Sequence, residues 1–525
     1  MKVLAATLAL AAAVAHVHVH ADTGTLNTTA PGAVIRKEVY GQFVEHLGRG
    51  VYEGIWVGTD SPIPNTRGIR DDVVAALRRI KVPVVRWPGG CFADDYHWRH
   101  GVGPQRQPSI NSSWSNAIEP NSFGTHEFMD FVEQIGAAPY VGVNMGSGSV
   151  EEGQAWMQYM TAPANTAPGA ERARNGRTEP WALPYVGVGN ESWGCGGHMY
   201  PEEYAHRYRQ FQGYLKTYSG PKALKIATGP DTDDYEWTDT VMKLATRFRP
   251  NATSPILYAP TKPLLDGLSL HFYTLPSNRW GGVHPARGFG EAAWISTMKR
   301  ALLMDELVSK HSAIMDTYDP KKEVALVVDE WGTWYDKEPG GPDGLWQQNT
   351  LRDALVAAVT LNIFHDHAER VRMANIAQMV NVLQAMILTD GPRMIVTPTY
   401  HVFDLYQVHQ GARRLPLTLD AAPYRFGDMA VPGVSGTASV DSSGRTHVSL
   451  ANLDARQARR VTLQVQGAKP GPLRGQLLTA PAIDSHNSFE TPAVVAPRAF
   501  TDARWSGNTL TVELPARSVV TLALH

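Results

Sequence analysis

The chain has 525 residues, well above the ~250–300 at which a single hydrophobic core stops growing, so we expect two domains. Charged residues make up 19% and hydrophobic residues 43%, and the formal net charge of −2 gives no electrostatic reason to bind nucleic acid or an anionic membrane. No run of about 20 apolar residues is present, which excludes a protein with a membrane-spanning helix.

The N-terminus has the pattern of an export signal. Lys2 supplies the positive charge, Val3 to Val14 form a short apolar run, and cleavage is plausible after Ala15 or Ala21. We therefore predict a signal peptide over residues 1–21 and an exported protein, periplasmic or extracellular.

The chain contains only two cysteines, Cys91 and Cys195, which excludes a disulfide framework. Each follows a different predicted strand, so one bridge between them is conceivable in an exported protein. We favour free thiols, because nothing in the sequence indicates that the two face each other.

From Tyr40 onward, short apolar runs alternate with amphipathic stretches. Eight runs are predicted strands: Gly41–Glu45, Val82–Trp87, Pro139–Asn144, Pro184–Glu191, Leu224–Gly229, Gly267–Tyr273, Val324–Glu330 and Val371–Gln378. Six stretches between them are predicted helices: Ile69–Lys81, Thr125–Ile135, Pro201–Tyr218, Trp237–Phe248, Ala292–Val308 and Leu351–His367. This alternation predicts a (β/α)₈ TIM barrel over residues 40–400. A doubly wound sheet is the alternative, but no G-x-G-x-x-G follows the first strand.

After about residue 400 the pattern changes to short alternating runs separated by turn-rich pieces. The predicted strands are Leu415–Leu419, Gly436–Asp441, Thr446–Asn452, Arg460–Gln466, Thr509–Leu514 and Ser518–Leu524. They predict an antiparallel, jelly-roll-like β-sandwich over residues 401–525. We expect residues 22–39 to form N-terminal strands that join this sandwich.

Two of the predicted barrel strands end in a carboxylate. One apolar run leads into Asn190 and Glu191 before a Gly-rich loop, and another leads into Asp329 and Glu330. A carboxylate at the tip of a buried strand contributes little to stability, but the active site of a parallel barrel lies at that face. Two facing glutamates suit glycosidic bond cleavage, in which one protonates the leaving oxygen and the other acts on the anomeric carbon.

Other polar groups collect at the same predicted strand ends. They are Glu45, His46, Arg86 to Cys91, Asn144, His271, Tyr273, Trp331, Gln378 and Asn381. Carboxylates, amides, a histidine and a tryptophan, without a clustered set of metal ligands, suit a neutral polyhydroxylated ligand. We expect Arg86 to keep Glu330 ionised, and Glu191, beside Trp193, to keep its proton.

Several longer motifs carry a family likeness. They are Gln42–Gly48, Arg86–Asp94, Phe123–Met129, Gly187–Glu191 with Trp193–Gly197, Asp329–Trp331, and Ala377–Gln378 with Asn381–Gln384. Over roughly residues 38–410 the chain resembles the α-L-arabinofuranosidases of glycoside hydrolase family 51.

The resemblance implies a retaining, exo-acting α-L-arabinofuranosidase with Glu191 as acid/base and Glu330 as nucleophile. It implies that the terminal arabinose is contacted by Glu45, Cys91, Asn190, Tyr273 and Gln378. Arg86, His271 and Trp331 would support them. It further implies no metal or organic cofactor, arabinose-containing oligo- and polysaccharides as substrates, and a homo-oligomer, often a hexamer.

Two rival functions stay open at this point. Another retaining glycosidase on the same barrel, such as a β-glucanase or β-xylosidase, is possible because fold and carboxylates alone do not fix the sugar. A carbohydrate-binding protein is the rival from another class, but it would need a disabled acid or nucleophile, and both glutamates are present.

Overall fold

The computed structural model describes residues 20–246, 263–277, 284–467 and 470–524. Within these ranges no helix is both long enough and apolar enough to cross a bilayer. The predicted signal peptide lies almost wholly outside the described residues. A strand already begins at His20, so cleavage after Ala21 would fall inside it.

Eight parallel strands form a closed barrel, which confirms the predicted TIM barrel. In chain order they are β1 (Gly41–Phe43), β2 (Val84–Trp87), β3 (Ala138–Val143), β4 (Tyr185–Val188), β5 (Leu224–Ala227), β6 (Gly267–Thr274), β7 (Ala325–Thr333) and β8 (Val371–Ala377). Each strand pairs with the next along the chain, and β8 pairs with β1 to close the ring. Nearly all their residues are buried, as expected of strands enclosed on both faces.

Nine α-helices are present among the described residues. They are α1 (Asp71–Arg79), α2 (Thr125–Ile135), α3 (Val150–Thr161), α4 (Ala167–Arg174), α5 (Pro201–Tyr214), α6 (Tyr235–Ala245), α7 (Glu291–Tyr318), α8 (Leu351–Asp366) and α9 (Pro398–Tyr406). All six predicted helices appear, although α7 runs ten residues beyond the predicted end and Phe248 lies outside the described residues. Three helices, α3, α4 and α9, were missed. Each starts at a Ser or Thr whose side chain caps the first turn.

Two further sheets pack face to face beside the barrel. One contains Leu417–Asp420, His20–Asn27, Arg459–Gln466, Thr509–Leu514 and Ala503–Ser506, in that order. The other contains Arg413–Arg414, Val434–Val440, Thr446–Asn452, Ser518–Leu524, Leu473–Leu478 and Arg498–Phe500. The pairing is antiparallel except between His20–Asn27 and Arg459–Gln466, which run parallel. The two strands can run parallel because the whole barrel lies between them in the sequence, so no hairpin has to connect them.

Short hairpins and 3₁₀ turns complete the described elements. The hairpins pair Asn65–Thr66 with Ile69–Arg70, Ser109–Asn111 with Ala117–Glu119, Ile387–Asp390 with Arg393–Val396, and Pro423–Phe426 with Met429–Pro432. The 3₁₀ turns are Lys37–Tyr40, Cys91–Asp94, Trp98–Gly101 and Gln407–His409.

The barrel meets the two sheets through α8 and α9. His365 on α8 lies fully buried at this contact, with Nε2 2.9 Å from the Tyr40 hydroxyl and Nδ1 3.2 Å from Thr437 Oγ1 on the sandwich. His409 is likewise buried and bonds Ser439 and Ser449. Polar groups at this contact are therefore satisfied across the two parts of the chain.

Candidate active site

The two predicted catalytic glutamates lie at the carboxyl ends of β4 and β7, which are three places apart around the barrel. Glu330 belongs to β7, and Glu191 follows β4 after Gly189 and Asn190. Glu191 has a left-handed backbone with φ of 39°, a conformation that costs free energy in a residue other than glycine. Such backbone conformations concentrate at functional sites, where the surrounding structure holds them.

Glu330 is held by two donors. Arg86 Nη1 on β2 donates to Oε1 at 2.8 Å, and the Tyr273 hydroxyl on β6 donates to Oε2 at 2.9 Å. The Arg86 guanidinium also donates through Nη2 to Asn190 Oδ1 at 2.5 Å. A buried cation and a hydroxyl, one on each oxygen, fix the orientation of this carboxylate.

Glu191 has a different environment. Burial raises the pKa of its carboxyl, and the nearby charge of Glu330 raises it further, while His271 opposes the shift. His271 Nδ1 lies 2.8 Å from Glu191 Oε1 and 3.5 Å from Glu330 Oε2. The two glutamates thus form a pair in which one carboxyl tends to keep its proton and the other has a cationic partner.

The spacing of the two carboxyls is short. One oxygen of Glu191, one oxygen of Glu330 and a ring nitrogen of His271 all lie within 4.8 Å of one another. Retaining glycosidases place their carboxyls ~5–5.5 Å apart, whereas inverting enzymes need ~6.5–9.5 Å for a water. The short distance between Glu191 and Glu330 agrees with the retaining spacing rather than the inverting one.

A third carboxylate, Glu45, follows β1 on the same face. Its Oε1 accepts from the backbone N–H groups of Gly90 and Phe92 at 3.0 Å each, and Gln378 Nε2 donates to Oε2 at 3.2 Å. Burial, assisted by the charge of Glu330, raises the pKa of Glu45 to about 7. Any side chain at Gly90 would come within 2.9 Å of Glu330, so glycine is required for this close approach.

The glutamates surround a cavity of about 230 Å³. It is lined by Glu45, Leu47, Gly90, Cys91, Trp114, Glu191, Trp193, Asp231, Tyr273, Glu330, Trp334, Leu345, Gln378 and Leu383. This volume is below the ~300–1,000 Å³ typical of sites for drug-sized ligands, so the cavity suits one small ring.

The expectation of free cysteines is wrong. Cys91 and Cys195 form a disulfide with their Cα atoms 5.5 Å apart. The loops after β2 and β4 meet over the end of β3, and the second loop folds back tightly at Gly196, where a Cβ would lie 1.9 Å from Asn190 O. Such convergence depends on loop geometry, which strand assignment from sequence does not supply.

The structure places the remaining predicted residues in two groups. Glu45, Cys91, Tyr273 and Gln378 line the cavity with the two predicted catalytic glutamates, while Asn190, Arg86 and His271 contact those carboxylates or each other. Trp331 does not line the cavity, because its ring packs behind β7 against Phe364 and Phe403. The strand-end residues His46, Asn144 and Asn381 bond Glu119, the loop after β3 and Thr389 respectively.

Sequence reasoning missed several lining residues. Trp114, Asp231, Trp334 and Leu345 come from loops beyond the strand tips. Asp231 lies close enough to a predicted strand end for the barrel pattern to have suggested it. Trp193, which the sequence placed beside Glu191, also lines the cavity.

A parallel barrel with two facing, differently held carboxylates at its carboxyl face, over a cavity for one small ring, defines a glycoside hydrolase. Two family models match the chain: the α-L-arabinofuranosidase 1 domain over residues 76–261 and the α-L-arabinofuranosidase C-terminal domain over residues 329–518.

Known proteins match over nearly the whole length. The "Intracellular exo-alpha-L-arabinofuranosidase" of Bacteroides ovatus is 46% identical over 100% of this chain and 99% of its own. The crystal structure of the GH51 arabinofuranosidase from Xanthomonas axonopodis pv. citri is 52% identical, with a TM-score of 0.92 over 97% of this chain and 100% of that one. An α-L-arabinofuranosidase from Thermotoga maritima, in complex with arabinose, is 28% identical, with a TM-score of 0.83 over 96% of this chain and 99% of that one. The chain belongs to the α-L-arabinofuranosidases of glycoside hydrolase family 51, as its motifs predicted.

The comparison also corrects one expectation. The name of the Bacteroides ovatus relative places that protein inside the cell, and the two chains match from end to end, which contradicts the predicted export. That prediction rested on the N-terminal pattern alone: Lys2, the apolar run Val3 to Val14 and the plausible cleavage sites after it.

Proposed function

We propose that the protein releases terminal, non-reducing α-L-arabinofuranosyl residues from arabinoxylan, arabinan and related oligosaccharides, with retention of configuration. The observation that supports this proposal is the pair of carboxylate oxygens within 4.8 Å beside a cavity of about 230 Å³. A cavity of this size holds one terminal sugar and leaves the rest of the polysaccharide outside, which favours exo action.

The reaction follows from the two carboxyl environments. Glu330, held by Arg86, attacks the anomeric carbon through a carboxylate oxygen while Glu191 gives its proton to the glycosidic oxygen, and the bond to the leaving sugar breaks. Glu191, now a carboxylate, then takes a proton from water, whose oxygen displaces Glu330. The products are free arabinose and the shortened substrate, and both glutamates return to their first state.

The sugar hydroxyls are assigned to the polar wall of the cavity. Glu45, fixed by two backbone N–H groups and by Gln378, presents an acceptor, and Asn190 lies beside the acid, where it can bond the 2-hydroxyl. Tyr273 and Cys91 complete the wall. Trp331 supports the site only through packing behind β7.

The test is hydrolysis of four substrates: an aryl α-L-arabinofuranoside, an aryl β-D-xyloside, an aryl β-D-glucoside and soluble cellulose. We expect activity on the first alone, and its loss in Glu330→Ala with the fold intact by circular dichroism. Dominant activity on cellulose or the glucoside would favour the rival retaining glycosidase, and inactivity on all four would favour a binding protein. Near-normal turnover by Glu330→Ala would refute the nucleophile assignment.

We also propose that the protein assembles as a homo-oligomer of up to six chains, on the strength of the family likeness. Light scattering coupled to gel filtration tests this, and a monomer at micromolar concentration would refute it.

A further inference from the structure

Strand β7 carries one extra residue at the active site. Between β6 and β7 the pairing runs from Ser269 opposite Val327 to His271 opposite Glu330, so β7 advances three residues while β6 advances two. In a regular strand, Asp329 and Glu330 would point to opposite faces. A β-bulge breaks this alternation, and bulges are common beside active sites, where they redirect a side chain.

The bulge brings both carboxylates into the same buried network. Arg86 contacts both, with Nη1 2.8 Å from Glu330 Oε1 and Nε 3.5 Å from Asp329 Oδ2. Asp329 also accepts from the Tyr140 hydroxyl on β3 at 2.7 Å and lies with Oδ1 3.1 Å from His271 Nε2 on β6. Asp329 is only 2% exposed, so its contacts with Arg86, Tyr140 and His271 lie in the buried interior of the barrel.

His271 connects this buried aspartate to the general acid. One ring nitrogen faces Asp329, and the other, Nδ1, lies 2.8 Å from Glu191 Oε1. Because a carboxyl oxygen is present at each nitrogen, the ring can donate a proton at both positions. Glu191 Oε2 has a disulfide sulfur, Cys195 Sγ, at 3.5 Å, and that sulfur carries no proton.

Resting on the acid role of Glu191 proposed above, we propose that Asp329 is a positioning residue that keeps His271 protonated at both nitrogens. The doubly protonated ring donates to Glu191 Oε1, so the carboxyl proton resides on Oε2, the oxygen left for the substrate. If His271 were neutral with its proton at Nε2, Nδ1 would accept a bond from the Glu191 hydroxyl. The catalytic proton would then be turned away from the glycosidic oxygen.

The surrounding charges agree with this arrangement. His271 faces Asp329 and Glu330 on β7, Glu191 after β4 and Asp231 after β5, and Arg86 on β2 is the neighbouring cation. Burial alone would lower the pKa of His271, but the carboxylates outweigh it and hold the pKa well above its usual range. Burial alone would raise the pKa of Asp329, but Arg86, His271 and Tyr140 outweigh it and hold that pKa below its usual range.

Replacing Asp329 by asparagine tests the proposal, because Asn keeps the shape and removes the charge. We expect His271 to lose a proton, which removes a cation beside Glu191 and moves the basic limb of the kcat/KM pH profile to higher pH. We also expect kcat/KM to fall about 100-fold for an alkyl or sugar leaving group, against less than about fivefold for an activated aryl leaving group. An unmoved limb together with equal losses on both substrates would overturn the proposal.

Asp319→Asn is the matched control. Asp319 is similarly buried and paired, with Oδ2 2.7 Å from Arg370 Nη1, but it lies at the other end of β7. We expect this variant to lose stability without a change in the pH profile or in leaving-group preference. If it reproduced the Asp329→Asn profile, general weakening of the barrel would explain both results.

A double-mutant cycle shows whether Asp329 acts through the ring. In a His271→Gln background, Asp329→Asn should add little to the loss on poor leaving groups, whereas additive losses would contradict the proposal. Should Asp329→Asn not fold, Asp329→Glu, which keeps the charge, should retain the wild-type basic limb, and a displaced limb would count against the proposal. Glu191→Ala, measured in parallel, tests the acid role of Glu191 separately from the positioning role of Asp329. If this variant shows no preference for activated leaving groups, the acid role itself is refuted.

Discussion

Opening the Cys91–Cys195 disulfide should destabilise the protein by an amount that follows from its place in the chain. The bond joins residues separated by 104 positions. For a loop of this length, the lost entropy of the unfolded chain corresponds to about 4.7 kcal/mol at 25 °C, and natural disulfides commonly contribute about 2–5 kcal/mol. We therefore expect Cys91→Ala, Cys195→Ala and the double variant each to lower the free energy of unfolding by about 2–5 kcal/mol.

The assay is urea unfolding followed by tryptophan fluorescence, with and without a dithiol reductant. The wild-type protein should lose stability when reduced, and the three variants should not respond. Because the chain has only two cysteines, thiol titration under denaturing conditions reports directly whether the bond was formed before unfolding.

The free energies of unfolding of the three variants, compared with one another, show whether the disulfide itself stabilises the fold. If the bond is what stabilises the fold, either single replacement removes the whole effect and the second adds little. Losses that add would show that each cysteine contributes by packing alone, and no loss would refute the reasoning. Activity should fall with stability, since Cys91 lies between the Gly90 and Phe92 N–H groups that hold Glu45.

Two further predictions concern single side chains. Glu191→Ala should reduce hydrolysis of polysaccharide by about 10²–10⁴-fold and spare aryl arabinofuranosides with good leaving groups, which need little protonation; equal loss in kcat/KM on both would contradict the acid role. Burial lowers the pKa of His365 to about 3 from its usual 6.5, so the fold favours the neutral ring. The contribution of the neutral ring to the free energy of unfolding is complete above pH 6.5. It is lost as the pH falls toward 3, by up to about 1.4 kcal/mol per pH unit. His365→Gln should flatten that dependence in thermal unfolding scans, and an unchanged dependence in this variant would contradict the burial argument.

The barrel and the position of Glu191 and Glu330 at its carboxyl face could be predicted because both are expressed in local patterns. Long apolar runs ending in Glu191 and Glu330 specify buried strands and carboxylates at one face. The disulfide could not, because it depends on how two loops bend across β3. The bulge in β7 was equally hidden, since period-two alternation does not show that Asp329 and Glu330 enter one network. The same alternation does not show that the Trp331 ring packs behind β7 against Phe364 and Phe403 rather than lining the cavity.

Helix boundaries show the same limit. The Ser149 side chain accepts a bond from the Glu152 N–H and starts α3, but a single capping serine before a weakly patterned stretch is a faint signal. The lining residues Trp114 and Trp334 lie in loops whose course depends on contacts with distant parts of the chain, so composition alone does not place them.

The strand His20–Asn27 has a consequence for synthesis on the ribosome. Its partners include Leu417–Asp420, with Leu26 opposite Leu417, so about 390 residues separate the two sides of this pairing. At ~5–20 residues per second, translation of that interval takes about 20–80 s. During this time the strand has emerged while the partners on both of its edges do not yet exist. A chain released before Leu417 keeps both edges of the strand open, and unpaired edges of this kind promote association with other chains.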